Sequence, residues 1–393
     1  MRLTKNVEFI LKRLNENGHR ADIVGGPVRD FLRGVAPSDY DITTSATPEE
    51  TKAIFSDFRT LDTGIKHGTV SLILDGEPYE ITTWRIDGEY KDARHPETVS
   101  FTKSIEEDLA RRDFTMNAIA YNPSNGLTDP YFGREDIEKK LIRAVRDPYL
   151  RFSEDALRIL RALRFSATLG YEIEENTAAA LREKSHLLRE ISAERIFTEW
   201  KKLLSGDFAY DVISEFSEVV AVFIPELSEL RLPKKENFAD DFFTRQTQMF
   251  YLSCADPAAD YTESMKRLKT DTHTRTLGEA VLENSSKYKL TELSDAGIML
   301  AELGEEAAKA TARLDLSLEK IDKNAYSLIE EYLERTMPYR LSDLAICGED
   351  IKALGISGRD IGKTLSTLLY AVISDKVENE KNALLEYIKV QIM

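Results

Sequence analysis

The sequence predicts an α+β chain: a small mixed sheet in the amino-terminal part, and helices through the rest. Three observations carry this. Strand-like runs rich in apolar and β-branched residues, Ala21 to Val24, Val70 to Leu74 and Pro78 to Trp84, fall early in the 393 residues. Helical segments alternate with them there. From Glu172 onward the pattern is almost entirely helical.

A chain of this length can hold two to four domains and a sizeable core. Hydrophobic content of 42% is ordinary for a globular protein. No apolar run approaches the ~20 residues of a membrane helix. Met1 to Lys5 lead into an amphipathic helix rather than a signal sequence. Cys254 and Cys347 are far apart and make no metal pattern. These features point to a cytoplasmic protein with no membrane segment. A net charge of −16 argues against a general nucleic-acid coat protein. A local basic surface is still expected between Lys139 and Arg164, where eight Lys and Arg stand against three acids.

In chain order, residues 4 to 16 read as a helix with Val7, Ile10, Leu11 and Leu14 on one face. The strand Ala21 to Val24 runs into Gly25-Gly26, and Pro27 suits the start of a helix that Gly34 ends. Strand, Gly-Gly and helix start make a triphosphate cradle, with free N–H groups and a positive dipole end. The same glycines also fit a plain tight turn. In a strand, Asp39 and Asp41 would share one face, where two carboxylates suit Mg²⁺. A solvated loop with Asp39 capping a turn is the other reading.

Thr47-Pro48-Glu49-Glu50 caps a helix running to about Phe55. After a turn at Thr63 to Thr69, Asp75-Gly76 joins two strands as a hairpin. Glu80 on the second could reach the same metals, or face water from an edge. Asp87 to Pro96 reads as a polar loop. Arg112 can pair with phosphate oxygens, or with Asp108 one helical turn back.

Arg151 to Phe165 reads as one helix with Ser153 as N-cap. Ala156, Leu157, Ile159, Leu160 and Leu163 form its apolar arc. Glu154, Asp155, Arg158 and Arg161 lie opposite, with Arg164 at the edge. From the residues alone this is a salt-bridge ladder. Ser192 caps a later helix to Leu204, and Lys266, Arg267, Lys269 and Arg275 read as surface charge. Glycines between Cys347 and Lys363 serve as helix caps or as phosphate contacts.

The run Gly25 to Asp30, the Asp39/Asp41 pair and Glu80 to Arg85 resemble the core of class II template-independent nucleotidyltransferases. Arg111 to Ala118, Asp129 to Arg134, Glu154 to Phe165 and Ile191 to Leu204 extend the match over about the first 205 residues. That family holds the tRNA CCA-adding enzymes and bacterial poly(A) polymerases. The last fifty residues resemble, more weakly, the tail of the shorter Gram-positive-type enzymes. Two departures stand out. Arg94-His95-Pro96 replaces the usual Arg-Arg-Pro, and Arg134 stands where a second glycine is usual.

The resemblance implies a catalytic head at 1–142, a neck at 143–205, a body at 206–295 and a tRNA-binding tail at 296–393. It implies addition of C and A from CTP and ATP to the tRNA 3′ end, by a monomer or homodimer. Asp39 and Asp41 would hold Mg²⁺, with Glu80 in support. Gly25, Gly26, Arg29 and Arg112 would grip the triphosphate. Asp155 and Arg158 would select the base, and Arg161 and Arg164 would complete the nucleotide site. The loop near His95 would serve the switch from C to A.

The nearest rivals are a poly(A) polymerase and a partial CC- or A-adding enzyme. The loop weighs against CC-only addition, and the missing long basic extension against poly(A) synthesis. A non-catalytic tRNA-binding protein is a rival of another class, opposed by the intact Asp39, Asp41 and Glu80. Nucleotidyl transfer to a small molecule needs less than this long helical remainder.

Overall fold

The computed structural model describes residues 3–37, 39–88 and 99–391. Most of the loop expected at 87–96, His95 included, lies outside the described residues. Packing divides the chain into two compact units, Met1–Pro225 and Glu226–Met393. The expected head and neck fall in the first, and the expected body spans the division.

The first unit opens with α1 (Lys5–Glu16), whose Thr4 cap accepts from Val7 N–H and whose Val7, Ile10, Leu11 and Leu14 are buried as patterned. Then come β1 (Ala21–Val24), α2 (Gly26–Leu32), β2 (Ile42–Thr44) and α3 (Pro48–Ile54). Thr47 and Glu50 close a reciprocal capping box on α3. Strands β3 (Arg59–Gly64), β4 (Thr69–Leu74), β5 (Glu77–Thr83), β6 (Arg85–Asp87) and β7 (Val99–Phe101) follow. The β4–β5 turn is Asp75-Gly76, both at positive φ as a tight hairpin requires.

Next are α4 (Ile105–Ala110), β8 (Ala120–Asn122), β9 (Gly126–Thr128), α5 (Gly133–Glu138) and β10 (Leu141–Ile142). The helical part holds α6 (Pro148–Glu154), α7 (Leu157–Leu169), β11 (Glu172–Ile173), α8 (Glu175–Lys184), α9 (Ala193–Leu204), α10 (Ala209–Glu215) and α11 (Ser217–Phe223).

Among the described residues, seven strands form one mixed sheet in the order β3-β4-β5-β2-β1-β8-β9. All its neighbours run antiparallel except β2 and β5, which pair in parallel, Ile42 opposite Ile81. Behind the sheet, Val24, Trp84, Ile105, Leu109, Ala118, Ala120 and Val145 form an apolar cluster that β1 shares with α4. Asp129 caps α5 by accepting from the N–H groups of Gly133 and Arg134. A Cβ on Gly133 would stand 2.1 Å from the Thr115 carbonyl, so only glycine lets α5 approach there. This explains the Asp129–Arg134 turn as a structural corner.

One expectation fails. The helix from Arg151 to Phe165 is two helices, and Ser153 is not its cap. Asp147 caps α6, with Pro148 behind it, and Ser153 sits inside α6 with its hydroxyl on the Tyr149 carbonyl. Asp155 leaves helical geometry at φ −141° and ψ 99°. Asp-Pro is a stronger helix start than Ser alone, and it moves the register upstream.

The second unit is helical: α12 (Phe242–Ser253), α13 (Pro257–Arg267), α14 (Thr272–Asn284), α15 (Leu293–Leu303), α16 (Glu305–Ser317), α17 (Lys323–Glu334), α18 (Gly348–Ala353), α19 (Arg359–Ile373) and α20 (Lys381–Gln391). Gly358 is the N-cap of α19 at φ +63°, which is the capping reading of those glycines. No helix among the described residues is long and apolar enough to cross a membrane.

Candidate active site

Parallel pairing of β2 with β5 sets the site. The residues just before the Ile42–Ile81 pair are Asp41 and Glu80, and both line one cavity of about 220 Å³. Arg85, Arg111 and Arg112 line it from the opposite charge side. Asp39 and Asp41 precede β2 rather than lying within it, so strand alternation does not align them. The Asp41 carbonyl accepts from Val24 N–H, which extends the ladder up to the carboxylate.

The Asp41 carboxyl titrates above the usual range. Desolvation in the cleft raises it most, Arg112 opposes, and the charges of Asp39 and Glu80 add to the rise. Crowded carboxylates of this kind fit a divalent cation, which relieves their repulsion. Of the two residues expected to hold one, Asp41 lines the cavity and Asp39 acts on it through its charge. Among the described residues, no three His, Cys, Asp or Glu side chains already stand together as a metal cluster.

Arg112 adopts the expected pairing with Asp108 and also lines the cavity. Its guanidinium stands 3.6 Å from Asp108, and a Cβ on Gly25 would come within 3.1 Å of its Nη1. Gly25, at φ +79°, therefore gives this arginine its place beside Asp41. The expected cradle is narrower than two glycines suggest. Gly25 N–H already donates to the Ile119 carbonyl. Gly26 faces Arg29, whose Nη2 would lie 3.8 Å from a Cβ there.

Arg29 pairs with Asp30 through two bonds and reaches the Asn117 side chain at 3.0 Å. Arg29, Arg161 and Arg164 all lie over the ring of Phe165, with Arg164 at 4.0 Å. Three guanidinium groups can share one ring because each has an acid or amide behind it. Arg161 bonds Asp113, and Arg164 pairs with buried Glu199 at 2.9 Å.

Asp155 and Arg158 are not neighbours on one helix turn, as their spacing suggested. Asp155 lies at the α6–α7 break and pairs with Arg195 of α9 at 3.2 Å. Arg158 is buried; it bonds Glu154 at 2.8 Å and donates to the carbonyls of Arg151 and Arg111. Its bond to Arg111 ties it to the arginine row of the cleft.

The positive charge expected from Lys139 to Arg164 is answered in part. Arg143 pairs with Asp136 and Glu174, and Lys139 with Glu135, so acids from outside the segment answer its charge. The anchoring roles of Asp113, Asn117, Arg195 and Glu199 escaped the sequence reading, and Asp108 was read only as a partner of Arg112. Their only signal was position inside or beside the arginine-rich runs.

A glycine-started helix and two carboxylates that share a cavity with arginines are the features of a nucleotidyltransferase head. Residues 21–143 match the family model of the poly(A) polymerase head domain. Residues 170–230 match an RNA and SrmB binding site of polymerase A, and 244–388 match tRNA nucleotidyltransferase domain 2. The chain belongs, more narrowly, to the CCA-adding enzyme family. It is 37% identical over 392 residues to the CCA-adding enzyme of Geobacillus sp. (strain WCH70), spanning 96% of this chain and 95% of that one. Identity to the Enterococcus faecalis CCA-adding enzyme is 35%, over 98% and 96% of the two chains. The crystal structure of the Bacillus stearothermophilus CCA-adding enzyme in complex with CTP aligns with a TM-score of 0.81 at 29% identity, covering 99% of each chain.

The Asp113–Arg161 pair generates a pH prediction. Burial works to raise the Asp113 pKa, but Arg161 and bonds from Asn117 and Phe114 N–H outweigh it and hold the carboxyl well below the usual range. Stability from a depressed carboxyl is complete above its unfolded pKa of about 4 and is lost as pH falls through the folded value. Asp113→Asn should lower stability at pH 7 by about 3 kcal/mol, leaving Arg161 without its partner. Urea unfolding of the variant should also lose less stability than wild type between about pH 5 and pH 2. Parallel acid limbs in the two proteins would contradict the pairing.

Proposed function

We propose that this chain completes the tRNA 3′ end without a nucleic-acid template, adding C and A from CTP and ATP and releasing pyrophosphate. The observation that carries this reading is the parallel β2–β5 register, which brings Asp41 and Glu80 into one cavity facing Arg112. Mg²⁺ held by Asp39 and Asp41 would supply activation of the RNA 3′-hydroxyl and neutralisation of the triphosphate charge. Glu80 supports and orients that pair. Arg112, Arg29 and the Gly25-Gly26 corner grip the phosphates, since guanidinium groups bind phosphate oxygens bidentately. The second unit, within which residues 244–388 match a tRNA nucleotidyltransferase domain, is assigned to tRNA contact.

Base choice is assigned to Asp155 and Arg158. A carboxylate only accepts and a guanidinium only donates. Cytosine offers an amino donor beside the N3 acceptor, and adenine an amino donor beside N1. Both fit that order. Uracil and guanine present a carbonyl beside a ring N–H, so both contacts mismatch. Each mismatch in a closed pocket costs on the order of 1–3 kcal/mol. Asp155 has Arg195 on its carboxylate and Arg158 has Glu154 beside it, so each side chain is held in a fixed orientation.

Asp39→Ala or Asp41→Ala should abolish nucleotide addition while circular dichroism and tRNA affinity stay near wild type. Glu80→Ala should cost less. Normal turnover in either aspartate variant would remove that residue from the centre. In the base-selection pair, Asp155→Ala and Arg158→Ala should add C and A more slowly, with a narrower margin over U and G. Full wild-type discrimination in both, assayed with all four NTPs, would clear the pair of that role.

A further inference from the structure

We propose that Asp108, on α4, is the positioning residue that aims Arg111 and Arg112 into the cleft opposite Asp41 and Glu80. The inference rests on the reading of Arg112 as a triphosphate ligand, and it adds a residue outside the metal, phosphate and base contacts.

Asp108 is wholly buried. A carboxylate in that position is stable only when cations and donors surround it. Its two oxygens have different duties. Oδ1 accepts from Arg111 Nε at 3.0 Å, from Arg111 Nη2 at 2.8 Å and from Arg85 N–H at 3.3 Å. Oδ2 accepts no hydrogen bond and faces Arg112 Nη2 at 3.6 Å.

Arg85, Arg111 and Arg112 all line the cavity that Asp41 and Glu80 enter. One buried charge therefore stands behind three residues of the arginine wall. The contact with Arg112 is a charge contact without a formed hydrogen bond, and the Arg112 Nε is likewise buried and unpartnered. Arg112 is thus directed by Asp108 while its side chain still lines the cavity. Without that charge, Arg112 would face Arg111 at close range, and burial would disfavour its own charge.

The asymmetry of the two oxygens supplies a selective variant. Asp108→Asn keeps a carbonyl oxygen for Arg111 and Arg85 at Oδ1, but sets an amide donor against Arg112. Steady-state kinetics and equilibrium CTP and ATP binding would be measured on the full chain, with thermal melting alongside. We expect KM and Kd for both nucleotides to rise about tenfold by the same factor, while the KM for tRNA stays within twofold. A merely structural role would lower Tm and the active fraction but leave nucleotide KM unchanged. Combined with Arg112→Ala, Asp108→Asn should add little further loss of affinity.

Wild-type nucleotide affinity in a folded Asp108→Asn protein, with Arg112→Ala impaired, would overturn the positioning role and leave the triphosphate reading standing. Unimpaired binding by Arg112→Ala would overturn both. If Asp108→Asn does not fold, Asp108→Glu carries the test, since it keeps the charge and displaces it. Nucleotide affinity should fall at least threefold in that variant, and unchanged affinity would overturn the inference.

Discussion

A buried arginine needs a carboxylate behind it, and this constraint organises the first unit. Around the cleft, Asp113, Glu199 and Asp155 come from a different part of the chain than the arginines they answer, whereas Asp108 lies one turn before its own. Asp108 faces Arg111 and Arg112, Asp113 holds Arg161, Glu199 holds Arg164, and Asp155 meets Arg195. Leaving buried Asp108, Asp113 or Glu199 without its arginine would cost several kcal/mol. They also bind the sheet region to α7 and α9, since Asp113 follows α4 while Arg161 lies on α7. The positive charge that a triphosphate needs is thereby held within a chain whose overall charge is strongly negative.

The sheet contributes the opposite sign. The parallel β2–β5 pair brings Asp41, just before β2, and Glu80, within β5, into one cavity. Burial raises the Asp41 titration most and the charges of Asp39 and Glu80 add to it, while Arg112 opposes the rise. The cleft is thus a charge balance left incomplete on the acidic side, which suits a divalent cation and a nucleotide arriving together. Gly25 takes part through its missing Cβ more than through its N–H, which the Ile119 carbonyl already occupies.

Much of the local structure was legible in the sequence because local rules decide it. Apolar spacing located α1, the Thr47–Glu50 box started α3, and Asp75-Gly76 turned the hairpin. Candidate residues were legible for a different reason: their motifs match a family. What the sequence concealed is tertiary. Spacing of three residues suggested that Asp155 and Arg158 adjoin on a helix, but Asp147-Pro148 starts that helix early and it ends at Glu154. The eight basic residues looked like a surface, yet Arg143, Arg161 and Arg164 take acidic partners from outside the segment, which only folding brings to them. Asp108 read as a simple helix-face partner of Arg112, and its contact with Arg85 depends on where β6 begins.

The central claim is that this charge-balanced cleft adds a defined sequence of nucleotides to tRNA. The most direct measurement is product sequencing of tRNA ending at the discriminator base, at C and at CC, incubated with Mg²⁺ and each NTP alone or with CTP and ATP together. The account predicts that CTP alone extends the first substrate to CC and stops, that ATP adds a single A only to CC ends, and that UTP and GTP give no product. Runs of A on any substrate, or no extension by CTP, would contradict it.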